Sequence, residues 1–224
     1  MKKFFVLFFS SVCIFCSLFL FSCSKKEDLS KHVSYLRQIE YNGQGENFKI
    51  RCFYGFKETP FINDGQQKEK VYGLAFRLLD KELDQTTYSV NLDYNNEQYQ
   101  KDFTFDQVNH CLSAFIEVDN FAENSFPVTI KGGSLAEKID LVSIVPEKTL
   151  SYASALDKLN QSNPSLINAY RNEEGEFIGE IHMRIIVKKE KPYWYIGLIN
   201  QDGTTKALLV DGFSGEVLAI RKIA

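Results

Sequence analysis

Phe48-Lys49-Ile50-Arg51-Cys52-Phe53-Tyr54 (residues 48–54) alternates apolar with charged or outward-tolerant side chains at a period of two. That is the pattern of a strand with one face turned to a core and the other turned away from it. The runs that follow read the same way: Val71 to Leu78, Tyr88 to Leu92, Tyr99 to Phe105, Leu112 to Val118, Phe126 to Ile130 and Ile139 to Ile144. They alternate or are short and apolar, and they are rich in Val, Ile, Thr and aromatic residues. Asn42-Gly43-Gln44-Gly45, Asn63-Asp64-Gly65, Asp93-Tyr94-Asn95-Asn96 and Lys131-Gly132-Gly133 separate them with turn chemistry. These strands, with no long helical period among them, predict an all-β sandwich over residues 32–146, with a small barrel as the alternative.

Cys52 and Cys111 fall on two of these runs, 59 positions apart. That separation resembles the inter-sheet bridge of immunoglobulin-like sandwiches and implies such a fold, although the accompanying Trp is missing and Asn109 stands two residues before the second Cys. A Cys52–Cys111 disulfide and two buried free thiols both remain open.

Pro146 and the charged Glu147-Lys148 end the β-rich part. Ser151 reads as an N-cap, and Tyr152, Ala155, Leu156 and Leu159 recur at helical spacing until Asn163-Pro164 stops them. Beyond Glu176 the chain returns to strands: Ile181, Met183, Ile185 and Val187 alternate, Tyr193 to Ile199 supply a partner, and two further strands follow the turns at Asn200–Gly203 and Gly212–Gly215. Residues 147–224 therefore predict a second, α+β domain, a helix packed on an antiparallel sheet.

Ser151 with Ala155-Leu156, Trp194-Tyr195-Ile196, Asp202-Gly203 and the closing Val210-Asp211-Gly212-Phe213-Ser214-Gly215-Glu216-Val217-Leu218 resemble a PepSY-type domain, whose final pattern is similar to Val-Asp-Ala-x-Thr-Gly-Glu-Val-Leu. The resemblance implies a module of exported or membrane proteins with an interaction or peptidase-regulating role and no catalytic residue. From the residues themselves, Asp211 caps the amides of a turn in which Gly215 takes a positive φ, a structural role. Trp194 falls on the core face, while Tyr193 and Tyr195 fall opposite, as a candidate interaction patch.

At the other end, Met1-Lys2-Lys3, the apolar run Phe4 to Phe21 and Leu20-Phe21-Ser22-Cys23 resemble a bacterial lipoprotein export signal, whose last Cys receives lipid. Residues 1–22 are then a signal peptide, lipidated Cys23 is the first mature residue and membrane anchor, and 23–31 form a charged tether. Removing residues 1–22 takes away Lys2 and Lys3, lowering the formal charge from −3 to −5. Such an acidic balance argues against nucleic acid as a partner, and 44% hydrophobic with 14% aromatic content supports a packed core.

His32, His110 and His182 have no Cys or His neighbours at metal-ligand spacing. Asp80–Asp84 and Asp93–Glu97 are acidic but lack the spacing of a calcium loop. No nucleophile elbow, phosphate loop or zinc-protease motif occurs. The sequence thus points to a non-enzymatic, cofactor-free lipoprotein outside the cytoplasm that binds an envelope protein or peptide. The alternative is capture of a small molecule or wall fragment in a cleft between the two domains.

Overall fold

The computed structural model describes residues 27–60, 62, 64, 66–79 and 87–223. Cys23 and the export signal lie outside the described residues, as do Asp80–Asp84. The strands run β1 (Val33–Gln44), β2 (Lys49–Thr59), β3 (Glu69–Leu79), β4 (Tyr88–Tyr94), β5 (Glu97–Asp102), β6 (Thr104–Asp106), β7 (Cys111–Glu117), β8 (Ser125–Gly132) and β9 (Leu135–Ser143). Helices α1 (Tyr152–Ser162) and α2 (Pro164–Asn168) precede β10 (Glu180–Lys188), β11 (Lys191–Ile199), β12 (Thr205–Asp211) and β13 (Val217–Ile223).

All of these strands belong to one 13-stranded sheet. Its organiser is β1. One edge of β1 pairs with β2, and the other edge is shared: its first half runs parallel to β10, while Tyr41 and Asn42 pair antiparallel with β9. From β1 the sheet curls one way through β2, β3, β7 and β6, and the other way through β9, β8, β4 and β5, giving a nearly closed, barrel-like antiparallel sheet. The meander β10–β13 extends the same sheet from the first half of β1.

The expected immunoglobulin-like sandwich followed by a separate PepSY-like domain is therefore overturned. The reason lies in strand length. On one face of β2, Ile50, Cys52 and Tyr54 fill the barrel, but Phe56, one step further along the same face, packs with Trp194, Leu156 and Ile181 under α1. Likewise β1 gives Tyr41 to the barrel and Val33 and Leu36 to the second core, and Tyr72 touches both. A unit boundary at residue 146 would divide the second core, which Val33, Leu36 and Phe56 share with the helix and meander, so these are a continuation of the sheet rather than an independent helix-on-sheet module.

Local chemistry sets the ends of elements. Ser151 caps α1, its Oγ accepting from the Ser154 amide at 3.2 Å, and Trp194 Nε1 donates to the Leu150 carbonyl just before it at 3.0 Å. Asn95 and Asn96 both take positive φ in the two-residue β4–β5 hairpin, a conformation Asn tolerates better than most residues. At the start of the described chain, Asp28 caps a 3-10 turn over Leu29–His32 with Leu29 buried, and the Glu27 carboxylate is held by Arg171, His32 and the Phe177 amide. Residues 27–31, expected as part of a tether, are docked on the body instead.

Candidate functional site

Because both cores lie on one side of β1–β3, the other side of these strands faces outward, and its side chains follow from parity. β1 presents Tyr35 and Arg37; β2 presents Arg51, Phe53, Gly55 and Lys57; β3 presents Gly73, Ala75 and Arg77; β7 presents Phe115. Register aligns Tyr195, Arg184, Arg37, Gly55, Gly73 and Glu117 in one row across β11, β10, β1, β2, β3 and β7.

Four cations on this face, Arg37, Lys57, Arg77 and Arg184, lie against aromatic rings, whereas Arg51 pairs with Glu40. The Arg37 guanidinium stands 4.8 Å from the Phe53 ring centre and 5.3 Å from that of Tyr35, and Arg77 is 5.3 Å from the same Phe53 ring. Lys57 Nζ is 5.1 Å from Phe115, and Arg184 is 4.2 Å from Tyr195. Such stacking holds a cation in place through the ring quadrupole without neutralising it. Phe53, only 7% exposed, is thus covered on the outer face by two like charges.

Carboxylates also share this side of the strands: Glu117 beside Gly73, and Glu40, cross-strand from Phe53. Glu40 pairs with Arg51 at 3.2 Å. Burial pushes its carboxyl above the ordinary range, while Arg51, Arg37 and Arg77 pull it down. Among the described residues, Arg37, Lys57, Arg77 and Arg184 form no ion pair. Burial lowers the Arg77 pKa, and repulsion from Arg37 adds to that. Asp106, which also senses Arg77, is engaged by its own loop, accepting from the Val108 amide at 2.9 Å and the Asn109 amide at 3.0 Å.

Between these cations lies a cleft of about 180 Å³, floored by Gly55 and Gly73 and walled by Tyr35, Phe53, Lys57 and Phe115. The glycines are a steric requirement. A Cβ on Gly55 would stand 1.9 Å from the Leu36 carbonyl oxygen, beside the irregularity in β1 between Arg37 and Ile39, and one on Gly73 would stand 2.4 Å from the Ile116 carbonyl oxygen. Pockets for whole small ligands usually run from about 300 Å³ upward, so this cleft fits a group the size of one side chain.

The crease between the two cores is larger, about 390 Å³, and is lined by Ile39, Phe121, Val145, Pro146, Leu150, Tyr152 and Trp194. This is where a ligand between two domains was expected. Glu147 is the one charged side chain lining it, and Gln38, Asn124, Ser143, Thr149 and Ser151 add neutral polar groups, so the crease is amphipathic and carries no concentration of charge.

Of the residues singled out in the sequence, Tyr193 and Tyr195 are partly exposed on the side opposite Trp194, and Tyr195 joins the basic face through Arg184. Asp211 Oδ1 accepts from the Phe213 amide at 2.9 Å and the Ser214 amide at 2.8 Å, while Gly215 has φ +80°. The Ser214 amide foremost holds the Asp211 carboxyl below the usual range. Cys52 and Cys111 are free thiols, so the bridge left open by the sequence is not made. β3 lies between their strands, and Cys52 is level with Phe76 and Ala114 rather than with Cys111. Two strand spacings of about 4.8 Å exceed the reach of a disulfide.

His32 is bonded to Glu27, His182 is edge-on to Tyr35, and His110 takes a positive φ beside Phe105. Among the described residues no group of three or more His, Cys, Asp or Glu side chains could hold a metal, and no helix is long and apolar enough to cross a membrane.

Arg37, Lys57, Arg77 and Arg184 escape a motif search because no two share a strand. The signal that finds them is parity: the outward positions of six strands, read together, are mainly basic, aromatic or Gly. The described residues define a β-rich, barrel-like protein with an open basic and aromatic face. No family model matches the chain, and no curated protein or solved structure matches it either.

Proposed function

We propose that this chain is a non-catalytic binding module of the cell envelope, held outside the cytoplasm by lipid on Cys23, that takes an acidic segment of an envelope protein or peptide on its outer sheet face. The observation that carries this reading is the set of four cations, Arg37, Lys57, Arg77 and Arg184, stacked on rings and without ion pairs among the described residues. Pre-oriented guanidiniums lose little freedom on meeting carboxylates, which they bind in a bidentate fork. A local concentration of positive charge on an acidic chain also steers an acidic partner to one place.

The test is fluorescence anisotropy of a labelled acidic peptide against the full chain in detergent. Hydrogen bonds to charged groups contribute about 1.5–3 kcal/mol each. Arg37→Gln with Arg77→Gln is therefore expected to weaken binding at least ~10-fold, and raised salt to weaken the parent similarly. Unchanged affinity in the double variant, with an unchanged Tm, refutes the assignment. Lipidation is checked separately: Cys23→Ala is expected to leave an unprocessed precursor or a protein released from membranes, and unaltered lipid labelling removes the anchor from the proposal.

A further inference from the structure

We infer that the ligand is an extended chain presenting a carboxylate, an apolar side chain and a second carboxylate at alternate positions i, i+2 and i+4. The inference rests on the reading of the outer face as an acidic-ligand site and specifies what that site selects.

The argument is one of spacing. Phe53, Gly55 and Lys57 are successive outward positions of β2. At about 3.4 Å per residue, Phe53 and Lys57 are roughly 14 Å apart along the strand. The Phe53 end carries the Arg37 and Arg77 guanidiniums, and the Lys57 end carries its ammonium against Phe115. Midway, the Gly55–Gly73 floor opens the cleft of about 180 Å³ between aromatic walls.

The face thus repeats cation, apolar hollow, cation with the period of a strand. An extended peptide has the same period, with side chains i, i+2 and i+4 on one face. Laid along β2, it sets its two carboxylates on the two cationic ends and its middle side chain on the glycine floor. A helical ligand, rising 1.5 Å per residue, covers only about 6 Å over the same four residues and does not reach both ends. A flexible polyanion meets the charges but leaves the hollow empty.

Three labelled peptides of equal length test this on the full chain in detergent: Glu-Ser-Phe-Ser-Glu, the clustered Glu-Glu-Phe-Ser-Ser, and Glu-Ser-Ser-Ser-Glu. The spaced peptide with Phe is expected to bind ~10-fold tighter than the clustered one and several-fold tighter than the one with Ser in the middle. Ala75 lines the cleft and is partly exposed, so Ala75→Leu fills the hollow without touching either core. This variant is expected to erase the advantage of the Phe peptide over the Ser peptide, and a Phe advantage that persists in Ala75→Leu overturns the assignment of the hollow to the middle side chain. Equal binding of the spaced and clustered peptides, or of a single-stranded oligonucleotide of matched charge, overturns the inference but leaves the face an anion site. Failure of every acidic peptide to bind overturns both.

Discussion

Gly55→Ala is expected to destabilise the protein by about 3 kcal/mol, the upper part of the range for overpacking a close-packed site. The added Cβ meets the Leu36 carbonyl oxygen at 1.9 Å, the Leu36 carbonyl carbon at 2.7 Å and the Arg37 Cα at 3.0 Å. All three are backbone atoms, so no side chain can swing aside. The strand that must move is β1, which pairs with β2, β9 and β10 at once. A local shift there disturbs the barrel and the meander together. For a chain of this size 1 kcal/mol corresponds to about 2–4 °C in Tm, so a fall of about 10 °C is expected, with a matching drop in the urea midpoint. A loss under ~1 kcal/mol would show that β1 relaxes around the new methyl group and that the glycine floor is not a steric necessity. Peptide binding by the variant, measured below its Tm, then reports whether the floor still admits the ligand's middle side chain.

Trp194→Ala should cost still more, about 4 kcal/mol, in line with aromatic-to-Ala changes in cores. Trp194 is 2% exposed, packs among Leu156, Ile196 and Val210, and donates to the Leu150 carbonyl at 3.0 Å. Its removal opens a cavity under α1 and leaves that carbonyl without its partner. Trp194→Phe, which keeps much of the volume and loses the hydrogen bond, is expected to cost about 1–2 kcal/mol. Trp194 is the one tryptophan in the chain, so its fluorescence reports the second core alone, while far-UV circular dichroism reports the whole sheet. In the parent protein the two signals are expected to change at the same denaturant concentration, because β1–β3 belong to both cores. In Trp194→Ala, the barrel aromatics and the circular dichroism should fall together at the lowered midpoint. Separate midpoints would mean that barrel and meander unfold as independent units despite the shared strands.

Legibility of the fold varied by element. The period-two pattern of Phe48 to Tyr54 covers only part of this strand, for β2 runs on through Gly55 to Thr59. Gly55 occupies the middle of the strand because its neighbour approaches too closely for any Cβ, a fact of tertiary packing. β1 carries Arg37, Gln38 and Glu40 among its apolar residues. Its alternation is broken by the irregularity between Arg37 and Ile39, which hid its length. The candidate face was invisible for a related reason: a motif search runs along the chain, whereas this site runs across it.

What the sequence determined by itself was local: the period-two faces of β2, β3, β10 and β11, the Ser151 cap, the Asp211–Gly215 turn, and the split of Trp194 from Tyr193 and Tyr195 to opposite sides. These follow from side-chain alternation and from hydrogen bonds spanning a few residues. Only the tertiary structure decided how many units those elements make. The parallel register of Val33 with Ile181 and Leu36 with Met183 joins segments nearly 150 positions apart, and no local propensity encodes such a pairing. That pairing places both cores on one side of β1 and leaves the other side to carry the cations.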